Sequence, residues 1–109
     1  MMNNNLDGTL VIAPKGRLVH GELGDLGRVE QAFGRKPNRI VLDLSKVWKM
    51  DCAALGMIAG LYALALENGT SLRLLNPTPR IRDLLVVTRL ADILPVVHEI
   101  EKEEAAAVG

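Results

Sequence analysis

Apolar positions in this chain change rhythm several times, and each change marks an element. Residues 9–13 (TLVIA) and 39–44 (RIVLDL) are short, apolar, β-branched runs of the length expected of buried strands. Pro14-Lys15-Gly16 reads as a turn into a second short strand at 17–19, so an opening hairpin is expected. Between these runs, Leu23, Leu26, Val29, Ala32 and Phe33 recur at helical spacing until Gly34 and Pro37 stop the pattern, which predicts an amphipathic helix over 22–33. A second helix is expected over 52–67, ended by Asn68-Gly69, then a strand over 71–75. Pro77-Thr78-Pro79 opens a helix to about Val87, Val96 and Val97 suit a short strand, and residues 99–107 suit a tail helix. Strands alternating with helices imply an α/β fold with crossover connections, read as one domain over 1–109 with flexible ends at 1–6 and 106–109.

The helix over 52–67 is apolar on more than one side. Leu55, Ile58, Tyr62 and Leu66 mark one side, while Ala53, Met57, Gly60, Leu61 and Leu64 mark another. Either the helix is sandwiched inside the domain or one face is left open for a partner. Gly56 and Gly60, four apart, allow close approach of another backbone, for which tight packing of helix on sheet is the simplest explanation.

Composition narrows the function. Thirteen basic residues balance thirteen acidic ones, and three aromatics make no base-stacking platform, which argues against nucleic acid. The longest apolar run is shorter than the ~20 residues that a membrane-crossing helix needs, and the N-terminus lacks a signal pattern, so a cytoplasmic protein without direct membrane insertion is expected. One cysteine can form neither an internal disulfide nor a cysteine-based metal site. No metalloprotease motif, nucleophile–base pairing or phosphate-cradling glycine loop is present, so no catalytic residue, metal or cofactor is assigned.

Candidate chemistry gathers where the strand over 39–44 leads through a short loop into the second helix. Asp51 is placed to cap that helix, although with Asp43 it could also approach a cation. Cys52, at the first helical position, is either a small half-buried residue or a thiol made reactive by the helix dipole. Trp48, between Lys46 and Lys49, is either a partner-binding anchor or a ring folded onto its own domain. His20 with Glu22 and Asp25, and His98 with Glu99, are polar clusters without metal-ligand spacing, and the Arg35-Lys36 and Arg80-Arg82 clusters read as solvated charges.

The order of elements, the strand ending Asp43-Leu44-Ser45 and the turn Met50-Asp51-Cys52-Ala53-Ala54-Leu55-Gly56 resemble a STAS domain, the family of bacterial anti-sigma factor antagonists and their relatives. The resemblance runs from about Thr9 to Ala107 and is diffuse except at the turn. It implies a small mixed β-sheet packed by helices, acting as a protein-binding module rather than an enzyme. In the antagonists the turn usually reads Asp-Ser-Ser-Gly-Leu-Gly, and a partner kinase phosphorylates its second serine to switch binding off. Ala53 stands at that serine and Ala54 at the glycine, so the resemblance implies a module with no modification at Ala53.

Trp48, Lys49, Met50, Asp51, Cys52, Ala53, Ala54 and Met57 are therefore the expected partner-binding residues. The expected partner is an anti-sigma factor with serine kinase activity, acting in sigma-factor control. Alternatives are a transporter ATPase subunit, for which the chain would be the STAS accessory component, and a thiol-based sensor built on Cys52.

Overall fold

The computed structural model describes residues 2–4 and 8–97. The expected tail helix, the His98-Glu99 cluster and the flexible ends fall wholly or largely outside the described residues.

Among the described residues, seven strands and three helices follow in the order β1 (Met2–Asn4), β2 (Thr9–Ile12), β3 (Lys15–Leu18), α1 (Gly24–Ala32), β4 (Arg39–Asp43), β5 (Lys46–Met50), α2 (Cys52–Asn68), β6 (Ser71–Leu75), α3 (Pro79–Val87) and β7 (Val96–Val97). Short 3-10 turns at Phe33–Arg35 and Leu90–Asp92 extend α1 and follow α3. The main sheet runs β1-β2-β4-β6-β7, parallel throughout except for the antiparallel edge strand β1. Parallel neighbours require crossovers, and α1, α2 and α3 lie in those connections. This is the expected small mixed sheet packed by helices.

Its register stacks aliphatic side chains into rows. Leu10 lies beside Ile40, which lies beside Leu72; Ile12 lies beside Leu42, which lies beside Leu74. All six are at most 2% exposed. Against them pack Leu26 and Val29 of α1 and Ile58, Leu61 and Ala65 of α2, forming one core. A row of this kind is set by the period-two alternation of each strand, so slipping one strand by a residue would turn its aliphatic face outward.

The opening hairpin does not form. β2 pairs with β1 and β4, while β3 pairs in parallel with β5 in a separate two-stranded sheet. The Pro14-Lys15-Gly16 signal marks a change of direction between sheets instead, and Pro14 is itself buried. The partner of β3 is the segment expected to be a loop. Residues 46–50 form β5 because Val47 and Met50 turn inward beside Leu18, at 0%, 7% and 1% exposure. That pattern was hidden in the sequence by one extra residue: Val47 pairs with Gly16 and Lys49 with Arg17, leaving Trp48 bulged out of the ladder.

Two short links hold this small sheet in place. A tight turn leads from β4 into β5, in which the Ser45 N–H donates to Asp43 Oδ1 at 2.9 Å and the Val47 N–H to the Leu44 carbonyl at 3.1 Å. The Thr78 hydroxyl, at the start of α3, donates to the Val47 carbonyl at 3.1 Å.

α2 begins and ends where the sequence predicts. Asp51 is its N-cap and Gly69, at φ 68°, closes it in the left-handed conformation that glycine adopts without steric cost. Its buried residues are Ala54, Leu55, Ile58, Leu61 and Ala65. Among the described residues no helix is long and apolar enough to cross a membrane.

Candidate functional site

Asp51 organises the junction between β5 and α2. Its Oδ1 accepts the Ala54 N–H at 3.0 Å, satisfying one of the unpaired donors at the helix start. Its Oδ2 accepts the His20 N–H at 2.8 Å, and its own N–H donates to the Leu18 carbonyl at 3.3 Å. One residue thus fastens the end of β3, through its backbone, and the loop after it, through its side chain, to the first turn of α2. The His20 N–H above all, and then the Ala54 N–H, stabilise the carboxylate and hold the Asp51 pKa below its ordinary value. With both oxygens engaged by N–H groups, Asp51 works as a cap. Asp43 is likewise occupied by its turn, and among the described residues no three His, Cys, Asp or Glu side chains converge as a metal site.

The loop following β3, which carries the His20 cluster, borders the site. Its link to Asp51 is made by the His20 backbone N–H, which no side-chain pattern reveals. Glu22 in the same loop accepts from Arg17 Nη2 at 2.8 Å, bracing the loop against β3.

Burial sorts the eight expected partner-binding residues. Met50 is 7% exposed and Ala54 is 0% exposed, so both are core residues and are removed from the surface. Their positions explain this: Met50 is inward-facing on β5, and Ala54 is on the same side of α2 as Leu55 and Ile58. Trp48 is 53% exposed, so its ring is not folded away onto the domain. Lys49 is exposed, Cys52 is exposed rather than half-buried, and Asp51, Ala53 and Met57 are partly exposed.

From Cys52 the open side of α2 continues through Gly56, Gly60 and Ala63, all exposed. Among the described residues, a Cβ built on Gly56 or Gly60 would meet nothing within 4 Å. The expectation that these glycines serve packing of helix on sheet is therefore overturned. They face outward and leave α2 with a flat, uncharged strip on which its backbone is nearly bare. Beside this strip Met57, Gly60, Leu61, Leu64 and Glu67, with Glu30 of α1, line a shallow groove of about 410 Å³. Of the two arrangements that the sequence allows for α2, the structure has the open-faced one.

Ala53 sits at the second position of α2, partly exposed, with a methyl group as its whole side chain. The arrangement offers a surface for contact: a half-exposed indole, a lysine, a thiol, a methyl and a bare helix face.

Comparison with known proteins gives concordant results. The family model described as the STAS domain matches residues 3–107. An anti-sigma F factor antagonist from Paenibacillus polymyxa is 30% identical over 92 residues, covering 82% of this chain and 78% of that protein. The crystal structure of an anti-sigma factor antagonist from Mycobacterium paratuberculosis superposes with a TM-score of 0.78 at 20% identity, over 89% of this chain and 82% of that one. A sulfate transporter family protein from Wolinella succinogenes gives a TM-score of 0.73 at 17% identity, over 87% and 80% of the two chains. At these identities the two structures share the fold.

Proposed function

This chain belongs to the STAS domain family, and on that premise we propose that it is a non-enzymatic regulatory module of the anti-sigma factor antagonist type. It docks a partner protein through the open face of α2 and the end of β5, and it lacks the serine phosphorylation switch. The observation that carries this reading is the uncharged strip running from Cys52 along Gly56 and Gly60, with the Ala53 methyl where the resemblance aligns the phosphorylated serine.

The physical logic is a comparison of charge. A phosphoserine would bring about −1.5 to −2 charge and three acceptor oxygens to the edge of a flat contact, repelling a partner shaped to the neutral form. Alanine accepts no phosphate, so the surface stays neutral whatever kinase is present. Glycines in the middle of a helix cost stability relative to alanine. Here none of the described residues fills the space beside Gly56 and Gly60, which is consistent with a partner lying there.

The test is to mix the purified protein with an anti-sigma factor kinase from the same organism and ATP. A complex that persists in ATP, with no phosphate incorporated within residues 49–56, is the expected result; stoichiometric phosphate there refutes the reading. Gly56→Arg should cost about 2 kcal/mol or more of binding, because it places a long charged side chain in the flat contact. Cys52→Ser should bind as the parent does, whereas a thiol sensor would lose its response. Recovery of a transporter ATPase subunit in place of the kinase would reassign the partner to the alternative role.

A further inference from the structure

We propose that the solvent face of the β3–β5 sheet binds an acidic segment of the partner protein, an inference that rests on the function proposed above and gives its partner a chemistry.

The register of this sheet sets like charges side by side. Lys15 pairs with Lys46 and Arg17 with Lys49, and all four are exposed on a face whose other side is the buried Leu18, Val47 and Met50. Like charges on neighbouring strands weaken a sheet. Among the described residues most of that cost is uncompensated: Arg17 is paired with Glu22, but no described carboxylate lies within salt-bridge distance of Lys15, Lys46 or Lys49. The chain as a whole carries thirteen basic and thirteen acidic residues, so this concentration reflects placement and not composition.

The bulge adds an aromatic group to the same face. Because Trp48 is the extra residue in β5, the strand presents both Trp48 and Lys49 to solvent before alternation resumes at Met50. Trp48 is enclosed in sequence by Lys46 and Lys49, and the patch runs directly into Asp51 and Cys52 at the start of α2. It is thus continuous with the proposed contact strip.

Cations of this kind attract carboxylates or phosphates, and the dimensions favour the former. Two strands of four and five residues span only about 13–17 Å. The patch has a single indole, whereas single-stranded nucleic acid is held by successive stacked aromatics along an extended basic groove. The net charge of zero supplies no long-range field toward a polyanion or an anionic bilayer. A short run of Asp and Glu on a protein surface fits the area and leaves the ring free to pack against an apolar neighbour.

The experiment uses the full chain and a fluorescently labelled decaglutamate peptide, read by anisotropy at low salt. The parent protein should bind it, and Lys46→Gln/Lys49→Gln should weaken binding by about tenfold or more. Arg35→Gln/Lys36→Gln, which removes the same charge at an exposed site elsewhere, should change it by less than about twofold. Equal weakening by both pairs, or no binding by the parent, overturns the proposal. So does tighter binding of a deoxythymidine decamer or of phosphatidylserine vesicles than of the peptide. Melting of the lysine variant should occur at the parent temperature or above it, since like-charge contacts are relieved; a lower midpoint would mean that these lysines hold the fold, and would equally overturn it. Gly56→Arg, read against the kinase, keeps the two proposals separable. If that variant fails to dock while decaglutamate is ignored, only the acidic-segment proposal falls.

Discussion

The two sheets of this molecule use the same strand lengths to opposite ends. In the five-stranded sheet, residues in register are Leu10, Ile40 and Leu72, or Ile12, Leu42 and Leu74, and water is excluded from all of them. In the two-stranded sheet the outward residues in register are Lys15 with Lys46 and Arg17 with Lys49. The first arrangement buries apolar area at roughly 25 cal/mol per Å² and holds the fold together. The second leaves cations facing water and is held along its inner side, by the turn from β4, by the Thr78 hydroxyl and by Asp51. On the proposed reading, stability and recognition are divided between neighbouring sheets, and Asp51 joins the second of them to α2.

Substitutions can break this contrast. Leu42→Ala, in the middle of the large sheet, should cost about 2–5 kcal/mol in urea unfolding, because the cavity lies in a fully packed row. Lys46→Ser, at an outward position of the small sheet, should stay within about 0.5 kcal/mol of the parent. A comparable loss from both would mean that the two sheets share the load.

Asp51→Ala should come next in effect, since it frees N–H groups on two elements at once. Its carboxyl titrates below its ordinary value in the fold, so it contributes stability at pH values above the unfolded-state pKa, near 4. That contribution falls away as pH drops through the lowered folded value. Thermal melts from pH 6 downward should therefore converge for parent and variant at the acid end and separate above about pH 4.

The smallest effect sharpens the contrast within α2. Gly56→Ala should stabilise the fold by about 0.5–1 kcal/mol, because an outward methyl meets nothing and helix propensity improves. The same change should weaken partner docking if the bare backbone is part of the contact. Stabilisation without weaker docking would show that the glycine serves neither purpose.

Much of the main sheet could be read from the chain because its strands are governed by what lies close in sequence. The runs at β2, β4 and β6 are apolar or β-branched, and the Asp51 cap and Gly69 terminator bracket α2 with side chains whose roles are local. The small sheet was illegible for a physical reason. Parallel pairing of β3 with β5 brings together segments about thirty residues apart, and the bulge at Trp48 breaks the alternation that would have identified β5. The site was legible in part. Lys49, Asp51, Cys52 and Ala53 fall at the surface, but Met50 and Ala54 face inward, and only the strand and helix phases could separate them. The outward direction of Gly56 and Gly60 depends likewise on which side of α2 meets the sheet. The His20 contact is made by backbone and leaves no trace in residue type.

The bulge at Trp48 has a practical corollary. It holds the chain's only indole half in water and apart from the aliphatic rows, so the emission of that ring reports on whatever comes to cover it. Backbone ellipticity, by contrast, follows the sheets and helices beneath. A single unlabelled sample therefore carries two separate optical channels, one for association and one for unfolding.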